Sequence, residues 1–291
     1  MQNIKDLTFL KWLKIQLTFE EIKFILNISP EKNLNEYAKY ISHEKSRQKL
    51  ENLSSCEHLQ FAKEYEWLQK RSIQLLVPTH KFYPNSFRAL RHPPVLSVLG
   101  HLEALSRDSL AVVGSRNTSS SSIDWMRSEL SQFIVENKVV ISSGGARGVD
   151  QEAHRITIAN NKPTICFLPS GLAKVYPPSL IHWLESIIDN GGVIVSQFSP
   201  FTPIYKSHFH YRNELIAALS CATLVVEANM RSGSMMTARY AIDMGKEVST
   251  LPCSPVNCSG KGNLKLLQDG AQLIVSNEDL QVLWARNTLK S

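Results

Sequence analysis

The sequence predicts an α/β protein in which a small N-terminal helical domain precedes an extended Rossmann-like, doubly wound and mostly parallel sheet. Short apolar runs recur from Leu110 onward without polar alternation, as burial of a strand on both faces requires. Segments with helical spacing separate these runs, and this alternation is typical of parallel sheets. Earlier in the chain no glycine precedes Gly100, and apolar residues recur at three- and four-residue spacing from Leu7 to Leu17, which predicts helices.

This pattern divides the chain into three segments. Residues 1–75 are predicted to form the helical domain and residues 76–109 a connecting segment that packs on the next domain, since its X-Pro pairs favour extended backbone. Residues 110–291 are predicted to form the Rossmann-like domain. Its strands are expected at 110–113, 139–142, 164–168, 193–196, 223–227, 247–251 and 271–275. Its helices are expected near 122–136, 150–160, 179–190, 212–220, 234–244 and 263–268.

Composition limits the class of protein. The 291 residues carry 32 Lys and Arg against 26 Asp and Glu, a net charge of +6, which is compatible with an anionic partner such as nucleic acid. The chain contains no apolar run of about 18 residues and does not begin like a signal peptide, so we expect a cytoplasmic protein without a membrane contact. Its five cysteines lack paired C-x-x-C spacing and are interpreted as buried thiols.

Two glycine-containing loops follow the first two strands of the predicted sheet. The first is part of A-V-V-G-S-R (111–116) and the second of S-S-G-G-A-R-G-V-D (142–150). Because the carboxyl ends of parallel strands lie together, the backbone N–H groups of both loops and the helices behind them form a site suited to phosphate. Arg116 and Arg147 add positive charge. We infer a phosphate-bearing polymer or a nucleotide as the ligand.

The later loops repeat this positive charge. The cations of the five loops are Arg116, Arg147, Lys174, Lys206 with Arg212, and Arg231. Asp150 and Glu227 are the exceptional acids, and their separation in sequence does not by itself make them a catalytic pair. Phe209 lies three residues after Lys206 in a polar loop, and an aromatic face beside a cation suits a stacked base and its phosphate.

Structural alternatives exist for several of these residues. The glycines of the second loop could serve only tight turns, and Ser232 and Ser234 could cap a helix instead of contacting a ligand. For Asp150 we favour an ion pair with Arg147 at the helix start. For Tyr211 we favour packing of the long loop onto the body.

Several enzyme classes lack their motifs in this sequence. It contains neither G-x-x-x-x-G-K-[ST] nor G-x-S-x-G, and S-G-G-A-R-G lacks the spacing of the dinucleotide fingerprint. His154 has no second metal ligand at i+3 or i+4, so we expect it to form a hydrogen bond at a packed surface. The prediction is a protein that is not an enzyme, without catalytic residues, a cofactor or a bound metal.

Seven motifs in order resemble one family, the DNA-processing protein A family (DprA, also called Smf) of bacterial natural transformation and recombination. They are Y-P-N-S-F-R-A-L-R-H-P-P-V-L-S-V-L-G (83–100), V-G-S-R (113–116), S-G-G-A-R-G-V-D-Q-E-A-H (143–154), G-L-A-K-V-Y-P (171–177), F-H-Y-R-N-E-L-I-A-A-L-S (209–220), E-A-N-M-R-S-G-S-M-M-T-A (227–238) and G-K-G-N-L-K-L-L-Q-D-G-A (260–271). The resemblance covers residues 83 to 275. It implies an extended Rossmann domain that binds single-stranded DNA without cutting it, dimerises and helps to load a RecA-type recombinase.

The family's DNA pocket corresponds here to Arg116, Lys206 and Phe209, with Lys174 nearby and backbone contacts from the second glycine loop. With the neighbouring loop positions, the predicted DNA-binding residues are Gly114, Ser115, Arg116, Gly144, Gly145, Arg147, Lys174, Lys206, Phe209, Arg212 and Asn213. Glu214 stands where the family usually has a positive charge. The family's C-terminal winged helix is expected to be absent, because about sixteen residues follow Val275.

The sequence thus predicts a single-stranded DNA-binding recombination mediator that protects incoming DNA and loads a RecA-type recombinase in natural transformation, and that forms a homodimer. The alternative is a nucleotide-processing Rossmann hydrolase acting on nucleoside monophosphates, whose P-G-G-x-G-T motif is missing here.

Overall fold

A nine-stranded sheet organises the part of the chain that the computed structural model describes, residues 2–27, 34–52, 55–254 and 258–288. Its strands are β1 (Gln74–Leu76), β2 (Leu96–Gly100), β3 (Ser109–Val113), β4 (Val140–Ser143), β5 (Thr164–Phe167), β6 (Val193–Ser196), β7 (Ala222–Val225), β8 (Glu247–Thr250) and β9 (Gln272–Leu273). Their spatial order is β1-β2-β6-β5-β4-β3-β7-β8-β9. β2 pairs antiparallel with both of its neighbours, and the pairs from β6 to β9 are parallel.

Helices cover both faces of this sheet and form the N-terminal region. The α-helices are α1 (Gln2–Trp12), α2 (Phe19–Asn27), α3 (Glu44–Glu51), α4 (Ser55–Gln69), α5 (Asn85–Arg88), α6 (Ser120–Trp125), α7 (Ser131–Glu136), α8 (Val149–Ala159), α9 (Leu184–Asp189), α10 (His208–Leu219), α11 (Gly233–Asp243), α12 (Lys261–Gln268) and α13 (Asn277–Thr288). A π-helical turn, Met126–Leu130, joins α6 to α7. Short 3-10 helices lie at Leu34–Tyr40, Leu102–Ser106, Pro178–Trp183 and Cys258–Gly260.

The strand order reverses at β3, and this reversal opens a crevice at the carboxyl ends of β3 and β7. β4, β5 and β6 lie on one side of β3, and the chain then crosses back to place β7 and β8 on the other side. The loops that leave β3 and β7 therefore turn away from each other above adjacent carboxyl ends. In open α/β sheets this position is where ligands bind.

Four buried clusters hold the elements together, and one of them packs Leu68 of α4 and Ile187 of α9 on Ile194 of β6. One face of the sheet packs on Ile216 of α10 and Ala238 of α11, and the other packs on Ala153 of α8 and Leu283 of α13. The remaining cluster is the core of the N-terminal helices, and it also contains Val77 and Val95. The helical region and the segment that follows it therefore share one apolar core. The domain boundaries at residues 75 and 109 stay a prediction.

The predicted fold class, an α/β Rossmann-like fold with a mostly parallel sheet, is confirmed, and each predicted strand has a counterpart. β1, β2 and α13 were not predicted from the sequence. Residues 96–100 extend the sheet beside β6 instead of only packing on it. The predicted start of α10, at residue 212, was also wrong, because the helix begins at His208. Phe209 is consequently a helical residue and not a loop residue.

The structure bears on two expectations from composition, the burial of the cysteines and the absence of a membrane-spanning helix. Of the predicted buried thiols Cys166 is buried, whereas Cys56 is exposed and Cys221 and Cys253 are half-buried. The side chain of Cys258 lies outside the described residues. Within the described ranges no helix combines the length and the apolar character that crossing a bilayer requires.

Candidate nucleic-acid interface

Two clefts flank the Phe209 side chain at the carboxyl ends of the strands. The first cleft, about 350 Å³, lies between the loop after β3, the inner face of α10 and the start of α11. The second cleft, about 370 Å³, lies between the second glycine loop, Arg147 and the segment from Tyr176 to Pro178. Arg116, Phe209 and Arg212 line both clefts. The two clefts are therefore neighbouring parts of one surface, separated by an aromatic ring.

Two guanidinium groups lie close to the Phe209 ring. The Cζ atom of Arg116 is 5.4 Å from the ring centroid and that of Arg212 is 5.7 Å away. Tyr176 approaches the same ring edge-on, with 6.2 Å between centroids. The cation expected beside Phe209 was Lys206, and the structure instead places two arginines there, one from the loop after β3 and one from the next turn of α10.

The start of α10 fixes this ring. His208 is buried, stacks on Phe198 at 4.0 Å between centroids, and its Nδ1 lies 3.2 Å from the Pro169 carbonyl oxygen. Because His208 is anchored on the protein side, the next residue of the helix turns its half-buried ring toward the clefts. Phe209 is therefore held by a rigid element.

Arg212 is buried yet only partly satisfied. Its side chain is 6% exposed, and its Nη1 lies 3.6 Å from Asp150 Oδ2, an ion pair. Among the described residues neither its Nη1 nor its Nε has a hydrogen-bond partner. A Cβ atom at Gly144 would overlap the guanidinium, so this glycine provides its space. The predicted pairing of Asp150 with Arg147 is wrong, because the buried carboxylate faces Arg212 while Arg147 is exposed.

The two glycine loops pack on each other. Gly148 has φ = +78°, and a Cβ atom there would overlap the carbonyl oxygen of Ser115. Ser234 Oγ donates a 2.8 Å hydrogen bond to the carbonyl oxygen of Gly114, and Ser232 caps α11 by accepting from the Met235 N–H. These contacts show the structural roles that the sequence left open. They also set the loop backbone in place at the clefts.

The acids of this region are engaged in structural contacts. Glu227 is buried and accepts hydrogen bonds from the Ser119 N–H at 3.0 Å and from the Ser122 hydroxyl at 2.8 Å, which fixes the start of α6. Burial alone would raise the pKa of Glu227, but hydrogen bonds from Ser119, Ser259 and Ser122 hold it below its ordinary value. For Asp150 burial prevails over Arg212 and raises the pKa.

Two further ionisable side chains behind the clefts, His154 and Cys166, are fully buried. His154 is buried, its Nδ1 lies 2.7 Å from Thr164 Oγ1, and burial followed by the charge of Arg212 lowers its pKa to about 3. The predicted hydrogen bond at a packed surface is present. Burial also raises the pKa of the Cys166 thiol to about 12. Within the described ranges no group of three or more His, Cys, Asp or Glu side chains is placed to hold a metal ion.

Not every predicted site residue lies at the clefts. Those that line one or both are Gly114, Ser115, Arg116, Gly144, Arg147, Phe209, Arg212 and Asn213. Gly145 lines neither cleft, because it faces Leu180 and Cys166. Lys174 and Lys206 are exposed and also lie outside both linings. Asn213 Nδ2 donates a 3.1 Å hydrogen bond to the Gly233 carbonyl oxygen, so it has a structural contact within the protein.

Three lining residues in the loops after strands were not among the predicted site residues. Asn117 and Asn229 lie on the loops after β3 and β7, and Tyr176 lies in the loop after β5. Their place just after strands was a usable signal, because side chains at carboxyl ends meet at the crevice.

The chain is similar in sequence to proteins of one known family. A sequence model of the family described as DNA recombination-mediator protein A matches residues 74–284. Protein Smf of Escherichia coli (strain K12) is 36% identical to this chain over 215 residues, which are 74% of this chain and 57% of that protein. DNA processing protein DprA of Streptococcus pneumoniae is 34% identical over 199 residues, 68% of this chain and 70% of that protein. The chain thus spans a little over half the length of the Escherichia coli relative.

Solved structures give the same relationship. The X-ray structure of DNA processing protein A (DprA) from Streptococcus pneumoniae matches with a TM-score of 0.80 at 26% identity, over 96% of this chain and 97% of that chain. The Helicobacter pylori protein of the same name, described for its single-stranded DNA binding mode, matches with a TM-score of 0.66 at 29% identity, over 74% and 97%. The chain belongs to the DNA recombination-mediator protein A family.

Proposed function

We propose that this chain binds single-stranded DNA across the two clefts and acts as a recombination mediator. The observation that carries the proposal is the Phe209 ring, which lies beside Arg116 and Arg212 and lines both clefts. A base stacks on such a ring whatever its identity, and the flanking guanidinium groups neutralise the phosphates on either side. Binding is therefore expected to show little sequence preference.

Exposed cations extend this surface beyond the clefts. Arg147 lies on the rim of the second cleft, and Lys174 and Lys206 are on exposed loops outside it. The ammonium groups of the two lysines are compact charges on flexible side chains, which suit contacts with a phosphate backbone. We propose that the strand leaves the clefts over these two lysines, with the loop backbone at Gly144 and Ser115 contributing N–H groups.

Family membership supports the wider role. One relative of known structure is described by its single-stranded DNA binding mode. On this basis we propose that the chain is cytoplasmic, acts as a homodimer, protects single-stranded DNA that enters during natural transformation and delivers it to a RecA-type recombinase.

We propose binding without catalysis. The two acids close to the clefts are occupied, Asp150 by Arg212 and Glu227 by the start of α6. A general acid or base must be free to reach the reacting group. Incubation with nucleoside monophosphates, or with DNA and divalent metal ions, is expected to give no released base, phosphate or cleaved strand. Turnover that disappears in Asp150→Asn or Glu227→Gln would instead support the hydrolase alternative.

The test of the site is a salt titration of oligothymidylate binding, followed by fluorescence anisotropy. Arg116→Ala and Lys206→Ala should each weaken binding and lower the slope of log K against log salt by about 0.7, because each removes about one phosphate contact. Phe209→Ala should weaken binding by about 1 to 3 kcal/mol with almost no change of slope, because stacking releases no counterions.

The matched control is Arg47→Ala, which removes an exposed arginine of α3. It should leave both affinity and slope unchanged. Thermal melting of each variant separates a lost contact from a disordered loop. If Phe209→Ala lowers the slope together with the melting temperature, the ring only packs α10 against the body and the stacking role is wrong.

A further inference from the structure

A third cavity, about 390 Å³, lies where the N-terminal helices meet the sheet. The end of α1, the segment from Leu90 to Val95, the loop after β6 and the outward face of α10 form its wall. It shares no lining residue with either cleft at Phe209. Its volume is in the range of small-molecule sites, about 300 to 1,000 Å³. We call it the junction cavity.

The wall of the junction cavity holds two charged groups without a hydrogen-bond or ion-pair partner in the described part of the chain, although the charge of Glu21 acts on one of them, Lys11. The other is Glu214. Lys14 and Arg91 add positive charge. Burial lowers the pKa of Lys11 to about 8 and raises that of Glu214 above its ordinary value. A ligand that carries an anion for Lys11 and hydrogen-bond donors for Glu214 would satisfy both groups.

The remaining wall is aromatic and partly unsatisfied. Trp12, Phe198 and Tyr211 contribute aromatic surface. The buried atoms Trp12 Nε1, Gln197 Nε2 and His92 Nδ1 have no hydrogen-bond partner among the described residues. These three atoms have almost no accessible surface and lie behind the wall, so the polar groups offered to a ligand are those of Lys11 and Glu214. The ligand thus combines a flat apolar body with polar groups at its rim.

We propose that the junction cavity binds one nucleotide whose base carries an exocyclic amino group, of which cytosine is the simplest case. The amino group of cytosine donates to a carboxylate, here Glu214. The base packs against the aromatic wall, and the phosphate lies at Lys11 and Arg91. The nucleotide is either free or one unit of a DNA strand, and the chemistry is the same. Glu214 then acts at this cavity and not at the clefts.

The experiment measures binding of dCMP to the full chain by isothermal titration calorimetry. Cytidine, which lacks the phosphate, and dTMP, which lacks the amino group, are expected to bind at least about fivefold more weakly. Lys11→Met and Glu214→Ala should each weaken dCMP binding by at least about fivefold. Lys45→Met, at an exposed lysine of α3, is the matched control and should change nothing.

The outcome separates this cavity from the proposed DNA site. Arg116→Ala should leave dCMP binding unchanged, because Arg116 does not line the junction cavity. The proposal is wrong if dCMP does not bind at millimolar concentration, or if Arg116→Ala weakens it while Lys11→Met and Glu214→Ala do not. A melting temperature of Glu214→Ala equal to or above that of the parent excludes misfolding as the cause of weaker binding.

Oligonucleotides distinguish the two sources of the nucleotide. If Glu214→Ala weakens an oligodeoxycytidylate relative to oligothymidylate, the cavity takes one unit of a bound strand. If it affects dCMP alone, the cavity takes a free nucleotide. Both results support the assigned chemistry, and neither depends on the stacking role of Phe209.

Discussion

Arg212 links the stability of the site to its charge. The guanidinium is packed over Gly144, is paired with Asp150 and contacts the Phe209 ring, all from one position on α10. A buried ion pair contributes little net stability, but removal of one partner leaves the other charge buried alone. Arg116 differs, because it is exposed and has no comparable buried partner.

We expect Arg212→Ala to destabilise the fold by about 3 to 5 kcal/mol, since it leaves the Asp150 carboxylate unpaired. Arg116→Ala should change stability by no more than about 0.5 kcal/mol. Urea unfolding measures both values. The double variant Arg212→Ala with Asp150→Asn should recover part of the loss, and purely additive losses would show that the pair is not coupled.

Lys11 gives a pH-dependent prediction. Its pKa is about 8 in the folded chain against an ordinary 10.5, so the unfolded chain binds more protons between these values. Stability must then rise with pH through that interval. Relative to Lys11→Met, the parent should gain about 1 to 2 kcal/mol between about pH 7.5 and pH 9.5, allowing for the partial exposure of Lys11. Parallel stability curves would show that Lys11 keeps its ordinary pKa.

Among the secondary-structure elements, the strands buried on both faces were those that the sequence predicted most clearly. Most strands from β3 to β7 are short apolar runs, because both faces of a parallel sheet are covered, and the sequence shows them plainly. β1 has only three residues, and β2 follows a proline-rich segment that indicates irregular backbone. Tertiary pairing with β6, which no local pattern encodes, makes β2 a strand.

The sequence also predicted only part of the candidate site. Arg116 and Gly114 follow a strand, so the carboxyl-end rule places them at the crevice. The resemblance identified Phe209, but its helical setting was missed because the polar and aromatic residues from His208 to Asn213 show no helical periodicity. The partner of Asp150 was also missed, since contact between α8 and α10 depends on the sheet order.

Glu227 should control the start of α6. Glu227→Gln is expected to cost about 1 to 2 kcal/mol, because a neutral amide cannot accept all the hydrogen bonds from Ser119 and Ser122. The pKa of Glu227 is lowered from 4.5 in the folded chain, so its contribution is present above pH 4.5 and is lost as pH falls through the lower folded value. Urea unfolding of parent and variant should therefore converge in acid. A constant difference down to that range would contradict the role.

At the scale of the whole molecule, the helical region and the sheet share a core. Val77 and Val95 pack with Leu10 and the other apolar side chains of the N-terminal helices. This contact predicts one cooperative unfolding unit instead of two independent ones.

Leu10→Ala tests that cooperativity. Leu10 is fully buried, so its truncation should cost about 2 to 5 kcal/mol. Far-ultraviolet circular dichroism and tryptophan fluorescence should still report a single coincident transition at a lower denaturant concentration. Two separated transitions would show that the helical region unfolds alone, as an independent domain at residues 1–75 would.

The short outermost strands of the sheet limit how copies of this chain can associate. β1 has three residues and β9 has two, so each lateral margin offers a very short ladder of backbone groups. Such margins are poor templates for strand addition, which protects a sheet of this width against sideways polymerisation. Self-association must then use helix faces or loops, and a mutation that lengthened either margin would expose the chain to amyloid-like growth.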